Sequence, residues 1–165
     1  MKPTTLTIPR FEPERYIGRW YEIARLPFKW EQGCTHATAD YSWDNKTQKM
    51  TIVNTCLKEI RPGVLSVVYG RTGHAHIIDP RQPGKLEVKF DDGRPADPPG
   101  AYWIHWTDYD DFSFVGGKGA SGELHLWVLS RKPQITLAES KWILSSATTL
   151  GYPSRLLIAD PNVIV

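Results

Sequence analysis

From Gly18 to Leu26 the residues alternate in character one by one. In an extended strand neighbouring side chains point to opposite faces, so Trp20, Glu22, Ala24 and Leu26 fall on one side and Arg19, Tyr21, Ile23 and Arg25 on the other. A glutamate therefore shares a face with a tryptophan. In the dry centre of a sheet sandwich that carboxylate would need a partner for its charge. In a barrel around a partly wet cavity it can face water or a polar ligand group.

The rest of the chain repeats the alternation in short runs. Thirteen Gly and thirteen Pro are spread along it rather than clustered, which suits many strands joined by turns. Strands are expected at Cys34 to Trp43, Met50 to Cys56, Val64 to Ile77, Leu86 to Phe90, Tyr102 to Thr107, Phe112 to Val115 and Leu124 to Arg131. Gly70, Gly73 and Ala75 keep one side of the longest strand slim, which helps it bend. After Pro133 the period changes: Thr136 with Glu139 forms a capping box, and Ile143, Ala147 and Leu150 recur at helical spacing until Gly151. A helix over 136–150 with that stripe must pack on the outside of the sheet. The strand beneath it would then be greasy on both faces, as Leu124, Leu126, Trp127, Val128 and Leu129 are. Arg155 to Ala159 could add a last short strand.

This pattern predicts an all-β fold, an eight-stranded antiparallel up-and-down barrel with one C-terminal α-helix outside. The 165 residues are most simply one domain, 1–165, opening with an extended arm over 1–15 that wraps the surface or closed end. Arg94 to Gly100 reads as a stiff surface loop. Phe28 and Trp30 sit in a loop after Pro27, where two large rings are expected to fold over something.

Cys34 and Cys56 are the two cysteines. Counting outward from the turn at Asp44 to Gln48 brings them close, so a bond across this hairpin is expected. Alternation puts Cys34 on the wrong row, which a bulge or a position just outside the strand would resolve. The alternative is two free thiols.

Three stretches in order, Gly18-Arg19-Trp20-Tyr21, the Thr107-Asp108-Tyr109 that closes the strand from Tyr102, and Trp127-Val128-Leu129-Ser130-Arg131, resemble the signatures of the lipocalins. The wording is similar to that of the branch holding apolipoprotein D and the bacterial outer-membrane lipocalins, and it extends from about Tyr16 to Asp160. The resemblance implies the calycin barrel, with Arg131 packed across the Trp20 indole at the closed end. Gly18, Thr107, Asp108 and Tyr109 are implied to be structural there as well. The loop with Phe28 and Trp30 is implied to lid the open mouth.

Inward-facing candidates for a ligand are Ala24, Ala39, Tyr41, Trp43, Ile52, Phe90, Tyr102, Ile104, Phe112, Phe114 and Trp127, with Glu22 and Asn54 as a polar minority and Phe28 and Trp30 at the mouth. Alanines at 24, 37 and 39 leave room; the bland alternative is a barrel plugged by its own side chains. Apolar walls of this kind would bury an acyl chain at roughly 0.8 kcal/mol per methylene. By resemblance the ligand is a fatty acid or lysophospholipid, carried or stored for membrane maintenance in the cell envelope or outside the cell. A membrane surface is a further expected partner, and the chain is expected as a monomer or weak homodimer. A bilin, haem or isoprenoid is the alternative ligand within the fold; a carbohydrate-binding module and a lipophile-modifying enzyme are alternatives of other classes.

Twenty basic residues are mixed with eighteen acidic ones for a net charge of +2, without the basic stripe that nucleic acid requires. His74-x-His76 could offer a metal pair, but no third ligand has helpful spacing. No Gly-x-Ser-x-Gly is present, and the inner rows offer only Tyr, Thr and Glu as nucleophiles, all weak unless activated. No catalytic residue, metal site or cofactor is therefore expected. No basic start followed by an apolar run is visible in Met1 to Arg10.

Overall fold

The computed structural model describes residues 3–93, 101–119, 121–159 and 164, and for Trp30 the backbone alone. The loop expected at Arg94 to Gly100 lies outside the described residues.

A short helix α1 (Pro13–Tyr16) leads into eight strands: β1 (Gly18–Arg25), β2 (His36–Asp44), β3 (Lys49–Arg61), β4 (Val64–Ile77), β5 (Lys85–Phe90), β6 (Ala101–Thr107), β7 (Phe112–Lys118) and β8 (Leu124–Ser130). Each pairs antiparallel with the next, and β1 pairs with both β2 and β8, so the sheet closes on itself. Helix α2 (Leu137–Thr149) follows, and the two-residue strand β9 (Ile158–Ala159) adds to the edge of β1. Closure removes the free edges that an open sheet would present.

Two apolar layers hold the barrel. The inner layer gathers Trp20, Tyr41, Met50, Ile52, Leu86, Ile104 and Val115 toward the closed end. The outer one places Ile143 and Ala147 of α2 over Ile23, Phe112, Phe114, Leu126 and Val128. The helix is set by a complete capping box: Thr136 Oγ1 accepts from Glu139 N–H, and the Glu139 carboxylate accepts from Thr136 N–H at 2.6 Å. Gly151, at φ +84°, ends it.

The N-terminal arm is extended only in part, since α1 occupies its end. It lies along the barrel through Thr4 N–H to Leu150 O (2.8 Å) and Ile8 N–H to Ile104 O (3.0 Å). His105 Nδ1 donates to Leu6 O at 2.6 Å, which leaves Nε2 to accept from the Tyr152 hydroxyl at 2.7 Å.

At the closed end Arg131 lies 3.8 Å from the centre of the Trp20 ring. Its guanidinium also donates to the carbonyls of Arg15, Ile17, Arg19 and Tyr109. Gly18 has φ +94°, and a Cβ there would stand 3.4 Å from Arg131 Nη1, so glycine serves both the turn and the clamp. Asp108 caps the next turn, accepting from the amides of Asp110, Asp111 and Phe112, while Thr107 Oγ1 accepts from the Tyr109 amide.

Three of the expected inward-facing residues, Ala24, Phe112 and Phe114, face outward, and two more, Ile104 and Trp43, face inward but do not reach the cavity. A register shift between Glu22 and Ala24 is a bulge, and it turns Ala24 into the outer layer and toward a separate hollow beside β9. Phe112 and Phe114 also face outward, under Trp142 of α2 at 5.3 and 5.6 Å between ring centres. Both rows of β7 are buried, one by the helix and one by the barrel, and the inner row carries Ser113, whose hydroxyl meets that of Tyr16, so the alternation of aromatic and polar residues pointed to the wrong row. Ile104 and Trp43 belong with the inner layer at the closed end, below the open space.

Candidate functional site

Above that floor the barrel holds a cavity of about 180 Å³. Of the expected residues, Glu22, Phe28, Ala39, Tyr41, Ile52, Asn54, Phe90, Tyr102 and Trp127 line it. Small residues on β2 make the space: Ala37 and Ala39 stand in the row that ends in Tyr41. Gly73 makes more, because a Cβ there would meet the Phe90 ring at 2.8 Å. The Arg71 guanidinium covers that ring at 3.7 Å and pairs with Asp92 at 2.9 Å.

The floor is a chain of hydroxyls. Tyr41 and Tyr102 are 2.7 Å apart, Tyr102 and Tyr16 3.2 Å, and Tyr16 and Ser113 2.9 Å. Burial raises the Tyr16 phenol to about 12 and lifts Tyr41 and Tyr102 well above the ordinary range. These phenols stay protonated and serve as hydrogen-bonding groups.

The mouth is crossed by the segment between β1 and β2. Phe28 lies edge-on to Trp127 (5.4 Å) and His125 (5.2 Å), and a single 3₁₀ turn, Lys29–Glu31, follows. The Trp30 side chain lies outside the described residues. The segment is pinned at its far end by the Cys34–Cys56 disulfide, with Cα atoms 5.5 Å apart. Cys34 precedes β2, which removes the conflict of phase that alternation raised.

Sequence reasoning missed the strongest electrostatic feature. The bulge that turns Ala24 out brings Arg25 inward, where its guanidinium donates to the Glu22 carboxylate at 2.9 Å and to the Glu31 carbonyl at 2.9 Å and pairs electrostatically with the Glu31 carboxylate at 3.2 Å. All three side chains are at least 85% buried. Glu22 and Glu31 line the cavity, whereas Arg25 does not and, with Glu22, borders the separate hollow beside β9. Desolvation, reinforced by Glu31, pushes the Glu22 carboxyl well above its usual range despite Arg25, and desolvation raises Glu31 as well. Trp127 Nε1 donates to Glu31 at 3.2 Å. The presence of Glu22 on an aromatic face was the one clue, but simple alternation hid its counter-ion.

Tyr69, Thr55, Val88, Val115 and Leu129 also line the cavity without having been singled out. His74 and His76, the spaced pair, face Asp91 (3.2 Å) and Glu87 (3.6 Å) respectively.

A closed ring of eight antiparallel strands around an apolar hollow, with a helix outside and the open end crossed by one segment, defines a barrel of the ligand-enclosing class. Residues 11–162 match the model of a lipocalin-like domain. Apolipoprotein D from Cavia porcellus is 34% identical over 145 residues, covering 82% of this chain and 70% of the relative. The outer membrane lipoprotein Blc from Vibrio cholerae is 26% identical over 159 residues, covering 96% and 86%. Among solved structures, insecticyanin from the tobacco hornworm Manduca sexta superposes with a TM-score of 0.71 at 19% identity over 95% of this chain and 84% of the other. The cockroach allergen Per a 4 gives 0.67 at 15%, over 96% and 92%. The chain belongs to the lipocalin family, and its cavity and its relatives place it among hydrophobic-ligand-binding proteins.

Proposed function

We propose that the protein encloses a single-chain amphiphile, a fatty acid or a lysophospholipid, and carries or stores it for membrane maintenance. The observation that supports this reading is the cavity of about 180 Å³, walled largely by aliphatic and aromatic side chains. Transfer of each methylene from water into it is worth roughly 0.8 kcal/mol, while Asn54, Thr55 and the phenols offer polar contacts. Binding rather than catalysis is favoured because the phenols inside are held protonated by burial. The similarity to an outer membrane lipoprotein and to apolipoprotein D, with a disulfide of the kind that persists under oxidising conditions, supports a place in the cell envelope or outside the cell, where a membrane surface would be a partner. The same reading takes 1–165 as one domain acting as a monomer or weak homodimer.

The test is displacement of a fluorescent fatty acid by lysophospholipid, repeated with Ala39→Phe, which fills the hollow, and Trp127→Glu, which charges its wall. Displacement in the parent and weakening by about tenfold or more in both variants is expected. Unchanged affinity in both would remove the cavity as the binding site.

A further inference from the structure

The hairpin of β3 and β4 outruns its neighbours. Its partner β2 ends opposite Leu57, and β5 reaches β4 only as far as Gly73. Thr35, just before β2, still accepts from the Glu59 amide at 3.0 Å; beyond Glu59 the ribbon continues for two residues to Arg61, ~7 Å at the ordinary strand rise, and then turns. It rises from the rim of the cavity: Thr55 and Cys56 on one strand and Tyr69 and Arg71 on the other are lining residues.

Its tip is apolar and uncovered. Ile60, Val64, Leu65, Val67 and Val68 are between 37% and 63% exposed. Five large aliphatic side chains in nine residues is a density not repeated among the described residues, whose other exposed apolar side chains are scattered singly or in pairs. Val64 and Leu65 are neighbours in one strand, so they point to opposite faces of the ribbon. A protein partner would cover one face; an apolar medium that surrounds the tip covers both.

The charges around it complete the pattern. Lys58 and Arg61 are exposed on the same ribbon, with no ion-pair partner among the described residues. One acid, Glu59, lies between them and accepts from the Gly63 amide at 2.7 Å, so the tip carries two basic side chains to one acidic. Cations beside aliphatic side chains match the interfacial zone of an anionic bilayer, where apolar groups enter about 5–10 Å and basic groups meet lipid head groups. The length of free ribbon fits that depth.

We propose that this hairpin is a membrane-docking element that seats the open end of the barrel on an anionic lipid surface, so that the ligand passes between bilayer and cavity without crossing bulk water. The purpose of docking rests on the carrier reading; the docking itself does not. Ile60, Leu65 and Val67 are the inserting side chains, and Lys58 and Arg61 select the anionic surface.

The test is co-sedimentation of the full chain with vesicles of phosphatidylcholine alone and with about a third phosphatidylglycerol. The parent should pellet with the anionic vesicles and less with the neutral ones. The variant Ile60→Ser/Leu65→Ser/Val67→Ser should lower the bound fraction about fivefold or more, and Lys58→Gln/Arg61→Gln should abolish the preference for anionic lipid and its salt dependence. All five positions are partly or fully solvent-facing, and unchanged circular dichroism and Tm will confirm an intact fold. Parent protein that stays in the supernatant, or variants that pellet like the parent, would overturn the proposal. So would serine variants that change only the oligomeric state in light scattering, which would assign the ribbon to a second copy. Displacement of the fluorescent fatty acid in vesicle-free buffer separates the two readings: its failure with vesicle binding intact removes the carrier and leaves the docking element.

Discussion

Trp127 donates its indole N–H to the Glu31 carboxylate across 3.2 Å, and this bond ties the segment over the mouth to β8. Phe28 reinforces it by packing on the same indole. The bond resists any movement of this segment away from the mouth, so it opposes exchange more than occupancy. Trp127→Phe keeps the ring and removes the donor. We expect release of a bound fluorescent fatty acid to accelerate about tenfold in stopped flow, on the scale of one charge-assisted hydrogen bond, with a smaller change in equilibrium affinity.

Arg25 is the counter-ion of two buried carboxyl groups. Arg25→Met would leave them facing each other with none, and a loss of about 3–5 kcal/mol is expected near pH 8. Protonation relieves that repulsion, so the loss measured by urea unfolding should shrink toward pH 5.

Glu22 supplies a pH dependence of definite sign. Its carboxyl ionises at higher pH in the folded protein than the ordinary value of 4.5, because burial and Glu31 disfavour the charge. The folded state therefore holds a proton that the unfolded state has already lost, and stability falls as pH rises through the raised value. Glu22→Gln cannot ionise and its amide oxygen can still accept from Arg25. Its Tm should gain on that of the parent between pH 5 and pH 8, and its affinity for a fatty-acid carboxylate at pH 8 should rise. A parallel shift of the two Tm profiles would contradict this.

Gly73 sets the position of Phe90. A methyl group at 73 would overlap the ring, which can yield only into the cavity or toward Arg71. Gly73→Ala should weaken long-chain ligands several-fold while sparing short ones, a split readable from a series of fatty acids of increasing length; the associated strain is about 1–3 kcal/mol.

Arg131 acts at the opposite pole. Arg131→Lys retains the charge but loses the planar fork and the stacking on Trp20. A drop in stability of about 2–4 kcal/mol by denaturant titration is expected, with ligand affinity in the folded fraction unchanged.

The barrel was legible because its strands are bounded by turns and its helix carries a capping box. The helix stripe, Ile143 and Ala147, and the row of Ala37, Ala39 and Tyr41 were legible in periodicity. The site was legible only where alternation ran unbroken. One bulge after Glu22 exchanged Ala24 for Arg25, and a second between Ile104 and Trp106 leaves Trp106 against the α2 residue Trp142. A bulge adds one residue and leaves no mark in composition, so side-chain phase beyond it cannot be counted. Phe112 and Phe114 were obscured differently: the helix buries the outer face of their strand as fully as the barrel buries the inner one, and the inner row spends a serine, Ser113, on the hydroxyl chain, so the more apolar row is the outer one.

Among the described residues, every hydrogen bond that the Arg131 guanidinium makes ends on a main-chain oxygen, those of Arg15, Ile17, Arg19 and Tyr109. The residues that bear those oxygens can mutate freely as far as the clamp is concerned, since a peptide carbonyl is the same whatever it carries. Evolutionary drift along that rim therefore leaves the fastening untouched, and one arginine with its indole can secure many otherwise dissimilar chains.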